Sequence, residues 1–317
     1  MRRVLNIGIL ASEGSWYYRD LERAARARGH ACQRLEFGRI VSVAGRIESG
    51  VRMAERHGNL SFPSMSGSVS QSALRCLHSL DVIFVRTMPP GSLEQVVYRM
   101  DALERLATAG TKIVNSPKSL ECAVDKYLTT ARLHDAGLPV PETIVCEHEE
   151  DAMEAFVELG SDVVVKPLFG AEGRGIVRVS DVDLAHRTFR TLMRLNAVLY
   201  LQRFIDHEGF DVRVLVMNGT SLGAIRRRSL NDFRTNVSRN ATPEKHEATA
   251  QEIDFAVKAS AITGTFIAGV DLLYDRAGRC HVIEVNLLFL NDFGSFRNDI
   301  FSSIFTTGQQ MLYFVLV

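Results

Sequence analysis

The stretch Val163-Val-Val-Lys166-Pro-Leu-Phe-Gly170-Ala-Glu-Gly173-Arg-Gly175-Ile176 places a lysine at the end of an apolar strand that runs directly into a glycine-rich turn. A buried ammonium group such as that of Lys166 needs an anionic partner. Gly170, Gly173 and Gly175 allow backbone N–H groups to approach phosphate oxygens closely, because no Cβ atoms intervene. The stretch therefore predicts a loop that folds over a nucleotide.

The spacing of these glycines excludes two common nucleotide motifs. G-x-x-G-x-G between two strands is neither the Rossmann G-x-G-x-x-G between strand and helix nor the Walker G-x-x-x-x-G-K-[ST]. The first predicted strand ends Gly8-Ile-Leu-Ala-Ser-Glu-Gly14 without the dinucleotide fingerprint, which disfavours an NAD enzyme. The alternative that stays open is a plain glycine-rich turn beside a lysine that extends to solvent.

A second stretch, Gly269-Val-Asp271-Leu-Leu-Tyr-Asp275-Arg-Ala-Gly278-Arg-Cys-His-Val-Ile-Glu284-Val-Asn286, has the pattern of a β-hairpin. A turn of four residues would place Asp271 opposite Val282, so that Asp271, Glu284 and Asn286 share one face. Their oxygens are hard donors that suit Mg²⁺ bridging the phosphates of ATP. A turn one residue longer or shorter would reverse the faces, and a solvated acidic hairpin is the alternative.

Arginines and polar partners concentrate between these stretches, in Asp211-Val-Arg213, Arg226-Arg-Arg228 and Asn231-Asp-Phe-Arg234-Thr-Asn236-Val-Ser-Arg239-Asn240. The whole chain has 37 Lys plus Arg and 37 Asp plus Glu, so this concentration is local. It favours a clamp for phosphate and for an acidic substrate. Solvated arginines on an edge strand are the alternative.

Composition limits the partners and the compartment. Without net charge the chain has no global field that attracts nucleic acid or an anionic membrane, and no stretch approaches the roughly 18 apolar residues of a membrane span. Five scattered cysteines without a C-x-x-C argue against a disulfide framework and a zinc site, which favours the cytoplasm. Val4–Leu10 is interrupted by Asn6 and lacks a cleavage site after it, so we interpret it as a first strand.

The order of predicted elements indicates an α/β domain followed by an α+β region. Strands and helices alternate in the first third, which favours a small open parallel sheet, and the Ser- and Gly-rich residues 58–70 are predicted to form a loop. One helix is predicted from Pro117 to about residue 136. We predict three domains, at residues 1–114, 115–197 and 198–317, with a strand at 198–205 in the third.

The order of these features resembles the ATP-grasp superfamily, and more narrowly its RimK-like branch of α-L-glutamate ligases, over residues 80–286. The resemblance implies an ATP-grasp fold, with ATP held between two α+β units behind an N-terminal α/β (pre-ATP-grasp) domain. It also implies ATP and Mg²⁺ or Mn²⁺ as cofactors. A homo-oligomer is compatible with it.

The resemblance also implies roles for individual residues. Two lysines bind the ATP phosphates, namely Lys126 and Lys166. A hinge holds adenine, with Gln202 accepting from the exocyclic amine, and it comprises Gln202, Arg203, Phe204 and Ile205. The phosphate and acceptor sites are lined by Asp211, Arg213, Arg226, Arg234 and Asn236. The metal ligands match the hairpin residues Asp271, Glu284 and Asn286.

The implied activity is ATP-dependent carboxylate–amine ligation through an acyl phosphate, with L-glutamate as the expected amine. Arg213 or Arg234 is expected to stabilise the oxyanion. Arg86, in Val85-Arg-Thr-Met-Pro-Pro-Gly91, follows a strand of the first domain and is expected to contact the acceptor. This segment is most similar to relatives that add glutamate to a pterin-type one-carbon carrier, while a protein C-terminus, an amino-acid carrier protein or another cofactor stays open.

The sequence departs from the family pattern after Asn286. The family usually continues with a proline–glycine turn and a helix, whereas Leu287-Leu-Phe-Leu290 leads here into an apolar, phenylalanine-rich end. This departure motivates a rival hypothesis, a non-catalytic nucleotide-binding or regulatory module. The two hypotheses differ in whether ADP release requires an acid and an amine together.

Overall fold

The structure is a computed structural model, and it describes residues 3–45, 50–54, 74–86, 88–170, 173–229, 232–235 and 241–287. The predicted loop at 58–70, Asn236 and the apolar segment after Leu287 lie outside these residues. The chain forms two compact units, the described residues up to Pro117 and those from Lys118 onward. Among the helices in these ranges, none is both long enough and apolar enough to cross a bilayer.

The first unit contains a parallel and an antiparallel sheet. Its elements in chain order are β1 (Asn6–Leu10), α1 (Trp16–Arg26), β2 (Ala31–Leu35), β3 (Ile40–Val43), β4 (Gly50–Ala54), β5 (Leu74–Cys76), β6 (Val82–Val85), α2 (Leu93–Thr108) and β7 (Lys112–Val114). The parallel sheet has the order β2-β1-β6-β7, which confirms the predicted parallel α/β arrangement. The antiparallel sheet β3-β4-β5 was not predicted, because strands of three to five residues show no clear apolar period.

The second unit begins with two helices and a four-stranded sheet. The elements are α3 (Pro117–Val124), α4 (Lys126–Asp135), β8 (Thr143–Cys146), α5 (Glu149–Glu158), β9 (Val163–Lys166), β10 (Val177–Val179), α6 (Val182–Arg194) and β11 (Leu199–Arg203). The strands pair antiparallel in the order β10-β9-β11-β8. The predicted boundary after residue 197 separates β11 from this sheet, whereas β11 hydrogen-bonds to both β8 and β9.

The single helix predicted from Pro117 is broken at Asp125. This residue has an extended backbone, with φ −90° and ψ 105°, and its side chain accepts a hydrogen bond from the N–H of Leu128. A carboxylate that caps the first turn in this way ends one helix and starts the next. As a result, Lys126 is the first residue of α4.

A five-stranded antiparallel sheet completes the second unit. Its elements are β12 (Phe210–Met217), β13 (Thr220–Arg228), β14 (Thr242–His246), α7 (Ala250–Thr263), β15 (Ile267–Tyr274) and β16 (Cys280–Asn286). The strand order is β14-β13-β12-β15-β16. Side chains such as Val212, Val270 and Val285 are fully buried in one core with Ala256 and Ala259 of α7. Because side chains alternate along a strand, the residues between them point to the opposite face of the sheet.

The predicted register of the β15–β16 hairpin was wrong by one residue at the turn and by two residues at Asp271. The turn is longer than predicted, so Tyr274 pairs with Cys280 and Leu272 pairs with Val282. A β-bulge then inserts Ile283, and Asp271 pairs with Glu284. An extra residue in one strand reverses the faces of everything beyond it. The bulge thus compensates for the longer turn and places Asp271 and Glu284 on the same face.

Candidate active site

A pocket in the second unit brings together side chains that are far apart in the sequence. It is lined by Lys126 at the start of α4, Lys166 at the end of β9, Asp271 on β15 and Glu284 on β16. The glycine-rich hairpin between β9 and β10 also lines it, through Pro167, Gly170, Gly173, Arg174 and Ile176. Two predicted phosphate lysines and two predicted metal ligands therefore share one cavity.

Lys166 carries a positive charge with little compensation. Its Nζ donates to the neutral amide oxygen Oε1 of Gln202 at 2.6 Å. Burial lowers the pKa of Lys166 to about 8, although the carboxylate of Glu284 opposes this shift, and the charge of Lys126 adds to it. A desolvated ammonium whose hydrogen-bond acceptor is neutral gains energy from an incoming anion. The side chain therefore fits a phosphate group.

Lys126 connects the glycine-rich hairpin to the acidic side of the pocket. Its Nζ donates to the carbonyl oxygen of Gly170 at 2.7 Å and lies 3.5 Å from Oε1 of Glu284. The N-cap at Asp125 holds Lys126 at the first position of α4. In this arrangement Gly170 contributes its carbonyl oxygen, whereas the glycine-rich sequence predicted a backbone N–H group.

Glycine is required in the hairpin on conformational grounds. Gly173 and Gly175 have φ values of 68° and 72°, which L-residues with a Cβ rarely adopt. A Cβ atom at Gly175 would lie 2.8 Å from Cγ of Pro167, closer than packed carbon atoms approach. The backbone can therefore turn tightly over the pocket only with glycine at this position.

The carboxylate of Asp271 lies at the centre of a buried ion-pair network. Arg213 donates to both of its oxygens, from Nε at 2.6 Å and from Nη2 at 2.7 Å. Burial by itself raises the pKa of Asp271, but the charges of Arg213 and Arg227 outweigh burial and hold the pKa below its usual value. Asp271 is therefore ionised and fixed in orientation, with only 4% of the residue exposed.

The three predicted metal ligands lie together. Nδ2 of Asn286 donates to Asp271 Oδ2 at 3.0 Å and to Glu284 Oε2 at 3.3 Å. Two carboxylates and an amide fit the hard-oxygen preference of Mg²⁺, provided that the Asn286 amide turns to present its oxygen. Within the ranges the structure describes, no group of three or more His, Cys, Asp and Glu side chains is placed to hold a metal. Any ion bound here would therefore need an amide, water or nucleotide oxygen to complete its shell.

Arg227, and not the predicted Arg226, belongs to this network. Arg227 is 1% exposed, and its guanidinium donates to both oxygens of Asp211, from Nε at 2.7 Å. Its Nη2 also lies 3.1 Å from Oδ2 of Asp271. Arg226 points to the other face of the sheet, where its Cζ lies 4.7 Å from the ring centroid of Phe210. The prediction of Arg226 as a site residue is corrected accordingly.

A second β-bulge explains this correction. The turn Asn218-Gly219, with φ values of 48° and 72°, is typical of a two-residue hairpin loop and pairs Met217 with Thr220. An uninterrupted ladder from that turn would place Arg226 opposite Asp211. The strand β13 instead contains an extra residue after Ser221, so that Asp211 pairs with Arg227. The Asn-Gly dipeptide was readable from sequence, whereas the bulge was not.

The predicted adenine hinge also lines the pocket, but most of its polar groups have protein partners. The N–H of Arg203 donates to the carbonyl of Glu142 at 2.8 Å, and the N–H of Phe204 donates to that of Asp162 at 2.9 Å. Gln202 is 3% exposed and uses Oε1 for Lys166. Its predicted contact with the exocyclic amine of adenine stays a prediction.

Arg234 was predicted to stabilise an oxyanion, and the structure shows another set of partners. Its Nη2 donates to Asp232 Oδ2 at 2.7 Å, and its Nη1 donates to the carbonyl of Ile176 at 3.3 Å. Ile176 belongs to the glycine-rich hairpin. The neighbouring Thr235 donates to Asp211 Oδ2 at 2.5 Å. Arg234 therefore joins segment 232–235 to the hairpin across the pocket.

Arg86 lies in the first unit, directly after β6, and is 5% exposed. Its N–H donates to the carbonyl of Leu10 at 3.0 Å. This position at the carboxyl end of a parallel sheet matches the place expected for a ligand contact in an open α/β sheet. Its role toward the acceptor stays a prediction.

The fold and the site together define an ATP-grasp enzyme. The chain belongs to the RimK-like ATP-grasp family, because the profile described as a RimK-like ATP-grasp domain matches residues 123–289, more than half of the 317 residues. Residues 19–121 match the N-terminal domain of prokaryotic glutathione synthetase. The family resemblance and the fold class predicted from the sequence are thereby confirmed.

Among curated proteins, the chain is similar to tetrahydromethanopterin:alpha-L-glutamate ligases. It is 34% identical to that of Methanosarcina acetivorans over 209 residues, which cover 62% of this chain and 64% of that protein, slightly less than two thirds of its length. It is 28% identical to that of Methanococcus maripaludis over 287 residues, 89% of each chain. These similarities identify the chain as an ATP-grasp ligase, and its family implies the use of ATP and Mg²⁺.

Solved structures agree on the fold. The chain is similar to an ATP-grasp ligase PsnB complexed with a minimal precursor, with a TM-score of 0.67, 21% identity and coverage of 92% of this chain and 94% of that one. A RimK domain protein from Sphaerobacter thermophilus gives a TM-score of 0.68 at 22% identity, covering 94% and 97%. At these identities the likeness concerns the ATP-grasp fold alone.

Proposed function

We propose that this ligase uses ATP to join the amino group of L-glutamate to the carboxylate of a small-molecule or carrier acceptor, with a pterin-type one-carbon carrier favoured. The names of the similar proteins from Methanosarcina acetivorans and Methanococcus maripaludis support both substrates. A protein C-terminus or an amino-acid carrier protein stays an alternative acceptor, since a glutamate–LysW ligase of Sulfurisphaera tokodaii is 26% identical over 247 residues. Five free cysteines suit a reducing compartment such as the cytoplasm.

One observation carries the proposal: Lys166, whose hydrogen-bond acceptor is a neutral amide, shares a cavity with Lys126, Asp271 and Glu284. Lys166 and Lys126 would hold the phosphates, while Asp271, Glu284 and Asn286 would hold Mg²⁺ or Mn²⁺. The metal would supply neutralisation of phosphate charge when bound.

In the first step, an oxygen of the acceptor carboxylate forms a bond to the γ-phosphorus of ATP. The bond between that phosphorus and the β,γ-bridging oxygen breaks, and its electron pair leaves with ADP. The two lysines neutralise the charge on the phosphates, and the glycine-rich hairpin excludes water from them. Such catalysis is mainly positional, because the protein contributes no covalent chemistry.

In the second step, the neutral amine nitrogen of glutamate forms a bond to the acyl carbon, the carbon–oxygen bond to phosphate breaks, and the leaving phosphate carries away the proton that the nitrogen loses. Negative charge develops on the carbonyl oxygen before phosphate leaves. Arg213 and Arg234 are both candidates for its stabilisation: Arg234 lines the pocket, and Arg213 is held in place by the carboxylate of Asp271. Loss of one such donor costs roughly 3 kcal/mol of barrier, about a hundredfold in rate. We keep Arg86 as the acceptor contact of the first unit.

The test is a coupled assay of ADP release with a panel of acceptors, including a pterin-type carrier, a glutamate-terminated peptide and an amino-acid carrier protein. ADP should appear only when ATP, an acceptor and glutamate are present together, and mass spectrometry should show the acceptor heavier by one or more glutamyl residues. Lys166→Ala should abolish turnover, whereas Lys245→Ala on the exposed part of β14 should not. ADP release at the same rate with and without the acceptor acid and the amine would contradict the ligase function.

A further inference from the structure

We propose that Tyr200 and Gln202 are positioning residues for Lys166, which hold its ammonium group in the nucleotide pocket through a chain of hydrogen bonds between neutral groups. The inference rests on the proposed function, in which Lys166 binds a phosphate. Gln202 thereby has a role different from the predicted contact with adenine, and Tyr200 has a role that no sequence motif indicated.

The direction of the hydrogen bonds that Gln202 makes follows from Lys166. An ammonium group only donates, so the amide atom that faces it at 2.6 Å is Oε1 of Gln202. Nε2 of Gln202 then donates to Oγ1 of Thr143 at 3.0 Å and to the hydroxyl oxygen of Tyr200 at 3.2 Å. The hydroxyl oxygen of Tyr200 also lies 2.9 Å from Oγ1 of Thr130, and either oxygen can be the donor of this hydrogen bond.

The chain connects the two elements that carry the phosphate lysines. Tyr200 and Gln202 occupy alternate positions of β11, so their side chains lie on the same face, and they are only 1% and 3% exposed. Thr130 lies one turn after Lys126 on α4. Breaking a buried chain of this kind leaves a donor or acceptor without a partner, which costs more than the bond itself contributes.

The hydrogen-bonded groups behind Lys166 are uncharged, and this matters for nucleotide binding. A carboxylate at position 202 would form an ion pair with Lys166 and remove the charge that attracts a phosphate. The Gln202 amide orients the ammonium and leaves its charge available. The charged groups that act on Lys166 from other elements are Glu284, Lys126 and Asp271, and Asp125 also acts on Tyr200. None of these groups changes in the variants below.

The test compares Tyr200→Phe with Tyr127→Phe, the same change at a tyrosine that is 54% exposed on α4. Binding of ADP without added divalent metal is measured by calorimetry from pH 6.5 to pH 9.5. Wild-type protein is expected to bind ADP, and the affinity of Tyr200→Phe should be roughly threefold to tenfold lower at pH 7, as for loss of one buried hydrogen bond. The pH at which affinity begins to fall should also move down, because a less well-held Gln202 stabilises the ammonium less.

Gln202→Glu provides a second variant, in which the pH midpoint should shift in the opposite direction. The carboxylate should weaken ADP binding yet move the pH midpoint up, because it stabilises the protonated lysine. Opposite shifts in the two variants support the positioning role, whereas a role in packing alone would lower stability and leave both midpoints unchanged. If the wild-type protein binds ADP and a folded Tyr200→Phe variant has the same ADP affinity and the same pH midpoint, the positioning role is wrong while the proposed function stands. Absence of ADP binding by the wild type would overturn the proposed function, and this inference with it.

Discussion

The guanidinium of Arg227 lies 3.1 Å from the carboxylate of Asp271, although their strands β13 and β15 are separated in the sheet by β12. Arg227 also bonds to both oxygens of Asp211 on β12. Two arginines, Arg213 and Arg227, therefore converge on Asp271, a predicted metal ligand. The carboxylate is held in place by groups that cannot lose their charge at physiological pH.

Arg227→Ala should destabilise the protein strongly. It leaves the buried Asp211 without its guanidinium, and removal of one partner of a buried ion pair costs about 3–5 kcal/mol. Arg226→Ala on the same strand removes only a stacking contact with Phe210, worth about 0.5–1 kcal/mol. Urea unfolding of both variants measures the difference. Equal destabilisation would contradict the assignment of Arg227 to the buried network.

Nucleotide affinity should fall as the pH rises through about 8, because the free Lys166 loses its proton there. The anion favours the protonated form, so the bound lysine has a higher pKa, and affinity should fall up to tenfold per pH unit between the two values. Calorimetry at pH 8 in buffers of different ionisation enthalpy should detect proton uptake on binding. In Lys166→Met this uptake should disappear, and its persistence would show that another group titrates.

The same lysine affects stability with a defined sign. Its pKa is about 8 in the folded chain against a usual value of 10.5, so the unfolded chain binds more protons between these values. The contribution of Lys166 to the free energy of unfolding is therefore lowest below pH 8 and increases as the pH rises toward 10.5. Relative to Lys166→Met, the wild-type melting temperature should increase over that window, as measured by calorimetric scans. A difference that stays constant with pH would contradict the lowered pKa.

Glu284→Gln should have opposite effects with and without metal. Removal of the carboxylate that lies 3.5 Å from Lys126 should strengthen metal-free ADP binding by roughly fivefold, since the lysine loses its partner. The Mg²⁺ concentration needed for turnover should increase at least about tenfold. Titrations of ADP and of Mg²⁺ measure the two effects, with Glu244→Gln on the exposed part of β14 as the control. An unchanged Mg²⁺ requirement would remove Glu284 from the metal site.

Arg234→Ala distinguishes a hairpin contact from an oxyanion contact. Without the bond to the Ile176 carbonyl, the amides of 176–179 should exchange faster with deuterium, and KM for ATP should increase about tenfold with little change in kcat. Arg276→Ala, an exposed pair with Asp206, is the matched control. A fall in kcat of about a hundredfold at unchanged KM would instead restore the predicted oxyanion role.

The chemistry of the site was largely readable from the chain. Few ligands suit both a lysine followed by three glycines, as at Lys166, and two carboxylates and an amide on one hairpin, as at Asp271, Glu284 and Asn286. The order of these motifs was specific enough to indicate the family. The antiparallel sheet of the first unit and the place of β11 were not readable. Short strands show no period, and the partner of a strand depends on segments far away in the sequence.

The sequence by itself indicated which groups are suited to bind a nucleotide, since charge, hardness and backbone freedom belong to residue types. Tertiary structure alone decided which side chains of β13 and β16 lie on the face of the sheet that carries Asp271. Each of two extra residues reverses the faces of a strand. The one after Ser221 places Arg227 instead of Arg226 opposite Asp211, and the one at Ile283 brings Glu284 opposite Asp271. A strand alternates its faces with a period of two, so one inserted residue changes every later position, and only packing of the whole sheet selects where it is inserted.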